Sequence, residues 1–252
     1  MSPISRRKLI TTGLAASAGV AGLVTAERLA QRYGLIPPDH GGIYGAGETM
    51  TYAAQRLLTR HSLAREFSKS MISKDPFANP TANPGKEFEQ HRAQGFRDWK
   101  VQVDGMVERP TTFSLSDLKS MTRRSHITEV ACEEGWSYIA EWIGTPLATV
   151  LQEVGLHPRT RYIAYFSMEQ GWWESIDMAD ALHPQTLLTW GMNDGDLPES
   201  FGGPLRMRVP RQLGYKSVKY IARLTATDSL KRYGKGLGSA APEAGYSWFG
   251  GI

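Results

Sequence analysis

The chain has 252 residues, 41% of them hydrophobic and 21% charged, with a formal net charge of +4. Those proportions describe a globular chain, exclude a disordered one, and allow one domain of ordinary to large size or two small ones. Part of the basic excess is local, in Arg6, Arg7 and Lys8, and elsewhere Lys and Arg alternate with acids, so no nucleic-acid stripe is expected.

The N-terminus, "MSPISRRKLITTGLAASAGVAGLVTAERLAQ", has a basic start and then a mild apolar run from Leu9 to Ala26. That is the layout of an export signal, with Val24-Thr25-Ala26 as a candidate cleavage site. The paired Arg6-Arg7 is similar to a twin-arginine signal, which implies export of an already folded protein to the periplasm. A single N-terminal membrane anchor stays open as the alternative. Three regions are expected: residues 1–26 as signal or anchor, 27–97 as an extension packing on the core, and 98–252 as the compact domain with a Gly-rich tail.

In chain order, residues 34–50 are dense in Gly and Pro and are expected to be a linker. "TYAAQRLLTRHSLAREF" has mixed helical character, and "ISKDPFANPTANPG" is a loop that needs a surface to lie on. "WKVQVDGMV" alternates apolar and polar residues and turns at Asp104-Gly105, the pattern of a strand and hairpin. "FSLSDLKSM" reads as a capped short helix, and "SHITEVA" as a strand that delivers Cys132. "GTPLATVLQEVGLHP" is the clearest helix, with Thr145 as cap, Pro146 at its first position and Gly155 at its end. Leu147, Val150, Leu151 and Val154 give it one apolar face. "RYIAYFSM" is a strand, and "SIDMADALHP" a short helix capped by Asp177. "TLLTWGMNDGDLP" is a strand entering an Asn193-Asp194-Gly195 turn, and "PLRMRVP" and "SVKYIARLTAT" are two further strands. The sum is an α+β domain with mixed β-sheets and short helices; the tail after Asp228 has no evident structure.

The only cysteine, Cys132, precludes an intramolecular disulfide and cannot by itself make a structural zinc site. The six histidines show no paired spacing, and the serine-hydrolase elbow and the Gly-rich nucleotide fingerprints are absent from the sequence. One basic cluster stands out. Arg206, Arg208, Arg211, Lys216 and Lys219 are interleaved with Gly202, Gly203 and Gly214, a combination suited to clamping a phosphate. A solvated basic edge would read the same way, just as a lone cysteine is otherwise a small core hydrophobe. Along a strand, Arg206 and Arg208 share a face.

Taken in order, "ACEEGWSYIAEWIGTPLATVLQEVGL", "WESIDMADALHPQTLLTWGMNDGDLP" and "GGPLRMRVPRQLGYKSVKYIARL" resemble the sulfite oxidase family of molybdopterin enzymes, in its short, exported bacterial branch. The resemblance runs from about Trp99 to Asp228. It implies a sulfite-oxidase-type molybdopterin-binding fold and a molybdenum-molybdopterin cofactor, with the Cys132 thiolate, a soft donor, as the metal ligand and catalytic residue. It further implies that Arg206, Lys216, Ser217 and Lys219 hold the pterin phosphate. A looser match places Arg65, as a catalytic residue, and Phe67, as a pterin contact, over the pocket. Phe201 departs from the family's usual His or Asn.

The activity implied is oxygen-atom transfer on a small sulfur or nitrogen compound, with electrons exchanged with a separate partner, a membrane haem protein or a cytochrome. Sulfite dehydrogenation feeding a cytochrome, or a non-catalytic module that keeps the fold, remain alternatives. Glu133 and Glu134 beside Cys132 make a poor site for a sulfite dianion, if they do not simply face solvent. With only a short tail after Asp228, a monomer without a C-terminal dimerisation domain is expected.

Overall fold

The computed structural model describes residues 25, 28–30, 33–81 and 84–252. The expected signal at residues 1–26 falls, Thr25 apart, outside the described residues. Two β-sheets carry the domain. The first has the order β2-β1-β10-β5-β6, formed by Thr111–Ser114, Lys100–Gly105, Ile221–Thr227, Tyr162–Ser167 and Trp173–Asp177. Only β1 and β10 run parallel; the other pairs in this sheet are antiparallel. The second sheet runs β3-β4-β7-β8, from Arg124–Ala131, Ser137–Pro146, Leu187–Met192 and Gly195–Asp196, with β9 (Arg206–Arg208) also pairing with β7.

Alternation along the strands sends side chains to three apolar clusters. Ile163 and Tyr165 of β5 join Val101, Val103, Leu224, Leu188 and Met207 in the central core, so that core draws on both sheets. Tyr162 and Ala164, one residue out of phase, lie on the opposite face with Tyr52, Trp173, Trp248 and Phe249. Val130, Tyr138, Ala140 and Trp142 form the third cluster on the far side of the second sheet.

Short helices close the layers. Helix α1 (Ala46–Leu58) places Tyr52 and Arg56 against Asp177, at 2.7 Å from the tyrosine hydroxyl and 2.6 Å from the guanidinium. The stretch 34–50, expected to be a linker, thus includes the start of a helix. Helix α2 (Lys86–Ala93) sends Phe88 into the central core, so the packed part begins before Asp98. Helix α3 (Leu115–Ser120) carries the capping box of Ser114 and Asp117. Helix α4 (Leu147–Val154) buries Leu147, Val150, Leu151 and Val154 and stops at Gly155, whose φ of 69° suits glycine. Thr145 does not cap it. It lies in β4, where its hydroxyl donates to the Leu118 carbonyl at 2.7 Å, and Pro146 stands in the cap position. Helix α5 (Met178–Ala181) is capped by Asp177 as expected, but Ser175, Ile176 and Asp177 belong to β6. The tail is ordered: helix α6 (Ala240–Glu243) is followed by Trp248, fully buried, whose backbone N–H donates to Asp39.

Candidate cofactor site

Strand β3 ends at Ala131, and residues 132–136 turn the chain into β4. The turn closes through Cys132 N–H to the Trp136 carbonyl at 2.9 Å and Gly135 N–H to the Cys132 carbonyl at 3.1 Å. Gly135 has φ of 90°, a conformation that favours glycine. The turn holds Cys132 half-buried, with the carboxylates of half-buried Glu133 and exposed Glu134 beside it. The thiol donates to Glu133 Oε2 at 3.2 Å, and Glu134 Oε2 lies 3.7 Å away. Trp136 Nε1–H donates to the same Glu134 oxygen at 2.8 Å, and Asn79 Nδ2 reaches it at 3.2 Å. Burial, with Glu133 and Glu134 adding to it, pushes the thiol up to about 12. A bound cation would draw off that proton and keep the thiolate.

The Gly-rich basic segment passes directly beside this turn. A Cβ on Gly214 would come within 3.4 Å of the Ala131 carbonyl and 3.6 Å of the Cys132 Cα. Cys132 therefore shares one cavity of about 320 Å³ with Arg206, Ser217 and Lys219. Its walls also include Glu133, Glu134, Trp136, Tyr138, Glu169, Trp172, Tyr215, Tyr246 and the loop Ala78–Thr81. That loop is the proline-rich stretch that needed a surface: Phe77 packs on Trp136, and Lys219 Nζ donates to the carbonyls of Ala78, Asn79 and Ser200 at 2.6, 2.7 and 2.6 Å.

Of the residues expected at the cofactor, the structure brings Cys132, Arg206, Ser217 and Lys219 together, and does not bring Lys216, Arg65 or Phe67. Lys216 points into the core, 2.6 Å from Glu174, because the turn Gly214–Lys216 directs its side chain opposite to those of its neighbours. Arg65 is exposed and lies over the Phe67 ring, while Phe67 N–H donates to the Ile127 carbonyl, so this stretch follows β3 outside the cavity walls. Phe201 packs edge-on against Tyr138 and offers its carbonyl to Arg206 Nη1 at 3.0 Å.

The cations fit an anionic group. Arg206 and Arg208, both buried, share one face of β9 and lie 5.3 and 5.5 Å from the centre of the Trp142 ring. Among the described residues, neither they nor Lys219 stands within ion-pairing distance of a carboxylate. Arg208 Nε has no hydrogen-bond partner. Buried cations without counter-charge are costly, and a phosphate in the cavity would supply the missing charge. Sequence reasoning missed Glu169, Tyr215 and Tyr246, which carry no motif of their own and reach the cavity only through the fold.

The family model for the oxidoreductase molybdopterin binding domain matches residues 89–233. A protein of Azospira oryzae that carries the name "Putative protein-methionine-sulfoxide reductase subunit YedZ1" is 35% identical over 195 residues, which are 77% of this chain and 70% of that protein. The protein-methionine-sulfoxide reductase catalytic subunit MsrP of Ralstonia nicotianae is 34% identical over 145 residues, 52% of this chain and 44% of that protein, so the chain spans less than half the length of this relative. The crystal structure of the sulfane dehydrogenase SoxCD from Paracoccus pantotrophus shares the fold, with a TM-score of 0.51 and 23% identity over 53% of this chain and 39% of that one. Cysteine turn, basic Gly-rich segment and matched domain agree: the chain belongs to the family of molybdopterin-binding oxidoreductases of the sulfite oxidase type.

Proposed function

We propose that the chain is a molybdenum-molybdopterin reductase that takes the oxygen atom from a sulfoxide, with methionine sulfoxide carried on protein as its substrate class. The observation that carries this reading is the pairing, in one cavity, of a soft thiol flanked by two carboxylates with cations that, among the described residues, have no carboxylate within ion-pairing distance. Arg206, Ser217 and Lys219 would hold the pterin phosphate, and Cys132 would ligate the metal. When bound, that group supplies the two-electron redox chemistry of oxygen transfer.

The residues around Cys132 decide what comes near. A carboxylate roughly 6 Å from a unit negative charge, in an effective dielectric of about 20, repels it by about 3 kcal/mol. Glu133 and Glu134 together would therefore hold off a dianion such as sulfite and leave a neutral sulfoxide unaffected. Trp136, Tyr138 and Trp172 offer apolar surface to the methyl and methylene groups of a methionine side chain. Phe77, 50% exposed, and Tyr246, 39% exposed, stand where a protein-borne substrate would meet the surface. The names of the relatives point the same way.

Electrons come from a separate redox protein, a membrane haem partner, and the chain works in the periplasm after export by the twin-arginine route as a monomer. The test is turnover of methionine sulfoxide with a reduced dye, against oxidation of sulfite with ferricyanide. The reading expects efficient sulfoxide reduction and weak sulfite oxidation, and the reverse ranking would overturn it.

A further inference from the structure

Strand β9 alternates Arg206, Met207 and Arg208, with Met207 in the central core and both arginines on the other face. Arg208 is 1% exposed and lies behind the cavity wall, not in it. Its Nη2 donates to Thr128 Oγ1 at 3.1 Å and to the Glu129 carbonyl, and its Nη1 donates to Ser217 Oγ at 3.3 Å. No carboxylate comes within ion-pairing distance among the described residues, and burial, then Arg206 of its own sign, disfavour its charge. Stability alone gives no reason for such a group, since an apolar side chain would fill the space without the desolvation penalty.

Ser217 supplies the reason. Its Oγ accepts from Arg208 Nη1 and, at 3.2 Å, from Val209 N–H. A hydroxyl has two lone pairs and one hydrogen, so with both lone pairs taken Ser217 can only donate. Ser217 lines the cavity, between Arg206 and Lys219 in sequence. A hydroxyl fixed as a donor, with an uncompensated guanidinium behind it, is built for an anion and against a cation or a donor group.

We propose that Arg208 is a positioning residue for the phosphate of the cofactor: it fixes the Ser217 hydroxyl as a donor into the cavity and adds a buried positive charge beneath it. This rests on the reading that the cavity holds the molybdopterin phosphate at Arg206, Ser217 and Lys219. Arg208 itself does not touch the cofactor.

The experiment compares the full chain with Arg208→Met, Ser217→Ala, the double variant and Arg206→Ala, each produced in a molybdenum-replete host. Pterin and molybdenum per chain are followed through extended dialysis, and the melting temperature of the cofactor-free protein is measured in parallel. Arg208→Met should lose cofactor at least about tenfold faster while its cofactor-free melting temperature does not fall. The double variant should lose it no faster than Ser217→Ala, because one residue acts through the other. Arg208→Gln, which keeps a donor towards Ser217 but not the charge, should fall between parent and Arg208→Met, and it carries the same test if the methionine variant does not fold. Full retention in the Arg208 variants, with retention lost in Arg206→Ala, overturns this proposal alone. Additive losses in the double variant, or an equal fall in cofactor-free stability, also overturn it. Full retention in Arg206→Ala as well overturns the underlying placement of the phosphate.

Discussion

The Lys216 ammonium lies 2.6 Å from Glu174 Oε2, with both side chains sealed from solvent. The same ammonium donates to the Ser175 carbonyl at 3.1 Å and lies over the Trp248 ring, while Glu174 Oε1 accepts from Ala241 N–H. Burial pushes the lysine down, and Glu174 opposes that shift. The pair ties the turn Gly214–Lys216 to β6 and to the tail. Lys216 thus fixes, from behind, the turn next to which Ser217 and Lys219 line the cavity.

Removing one partner of a buried pair leaves an uncompensated charge, which costs about 3–5 kcal/mol. Lys216→Met is therefore expected to lower the melting temperature by roughly 6–20 °C, at about 2–4 °C per kcal/mol for a chain of this size. Lys216→Met combined with Glu174→Leu should recover most of that loss. Thermal unfolding of the cofactor-free protein decides it, and a double variant no more stable than the single would count against the pair.

Lys219 yields a pH dependence. Burial first, then Arg206, push its ammonium down to about 7. The three carbonyls around Nζ describe the ammonium form, which an anion would also require. Because the pKa of the empty site is depressed, anion binding is at full strength below pH 7 and weakens as pH rises towards the ordinary lysine range near 10.5. Sulfate, a dianion throughout, should stabilise the cofactor-free protein more at pH 6 than at pH 8.5. Lys219→Met should flatten that difference, and thermal shift measurements at the two pH values would show it. Equal sulfate shifts at both pH values in the parent would contradict the assignment.

The motif residues were legible in sequence where the backbone itself carries them to the cavity. Cys132 follows directly on a strand, and Arg206, Ser217 and Lys219 lie in one short Gly-rich segment, so the family resemblance was enough to single them out. Lys216 was misplaced because the phase of a three-residue turn decides which side chain faces in, and composition does not report phase. Strand β4 escaped because it is buried on both faces from Ala140 to Pro146, which erases the period-2 alternation that marks a strand. The tail and the loop 78–81 were unreadable for a related reason. Their order comes from distant partners, Asp39 for Trp248 and Lys219 for Ala78 and Asn79, and no local pattern encodes those contacts.

Export is open to a separate test. A cofactor-bearing protein must cross the membrane folded, and Arg6-Arg7 before a mild apolar run is the signal proposed for it. Replacing both arginines by lysine keeps the charge. The variant should accumulate in the cytoplasm, folded and loaded with metal, as cell fractionation would show. Export equal to the parent's would remove the support for the periplasmic assignment.

The central claim is that Cys132 and the cations Arg206 and Lys219 hold one molybdenum-pterin group between them. Its most direct test is the metal and pterin content of the purified full chain, beside that of Cys132→Ser. Thiolate is a softer and stronger donor to this metal than a hydroxyl. The account predicts about one molybdenum and one pterin per parent chain, and in the serine variant retained pterin with lost turnover and without the charge-transfer band that a cysteine thiolate adds. A parent protein from a molybdenum-replete host that carries neither metal nor pterin, or a serine variant with the parent's spectrum and turnover, would contradict it.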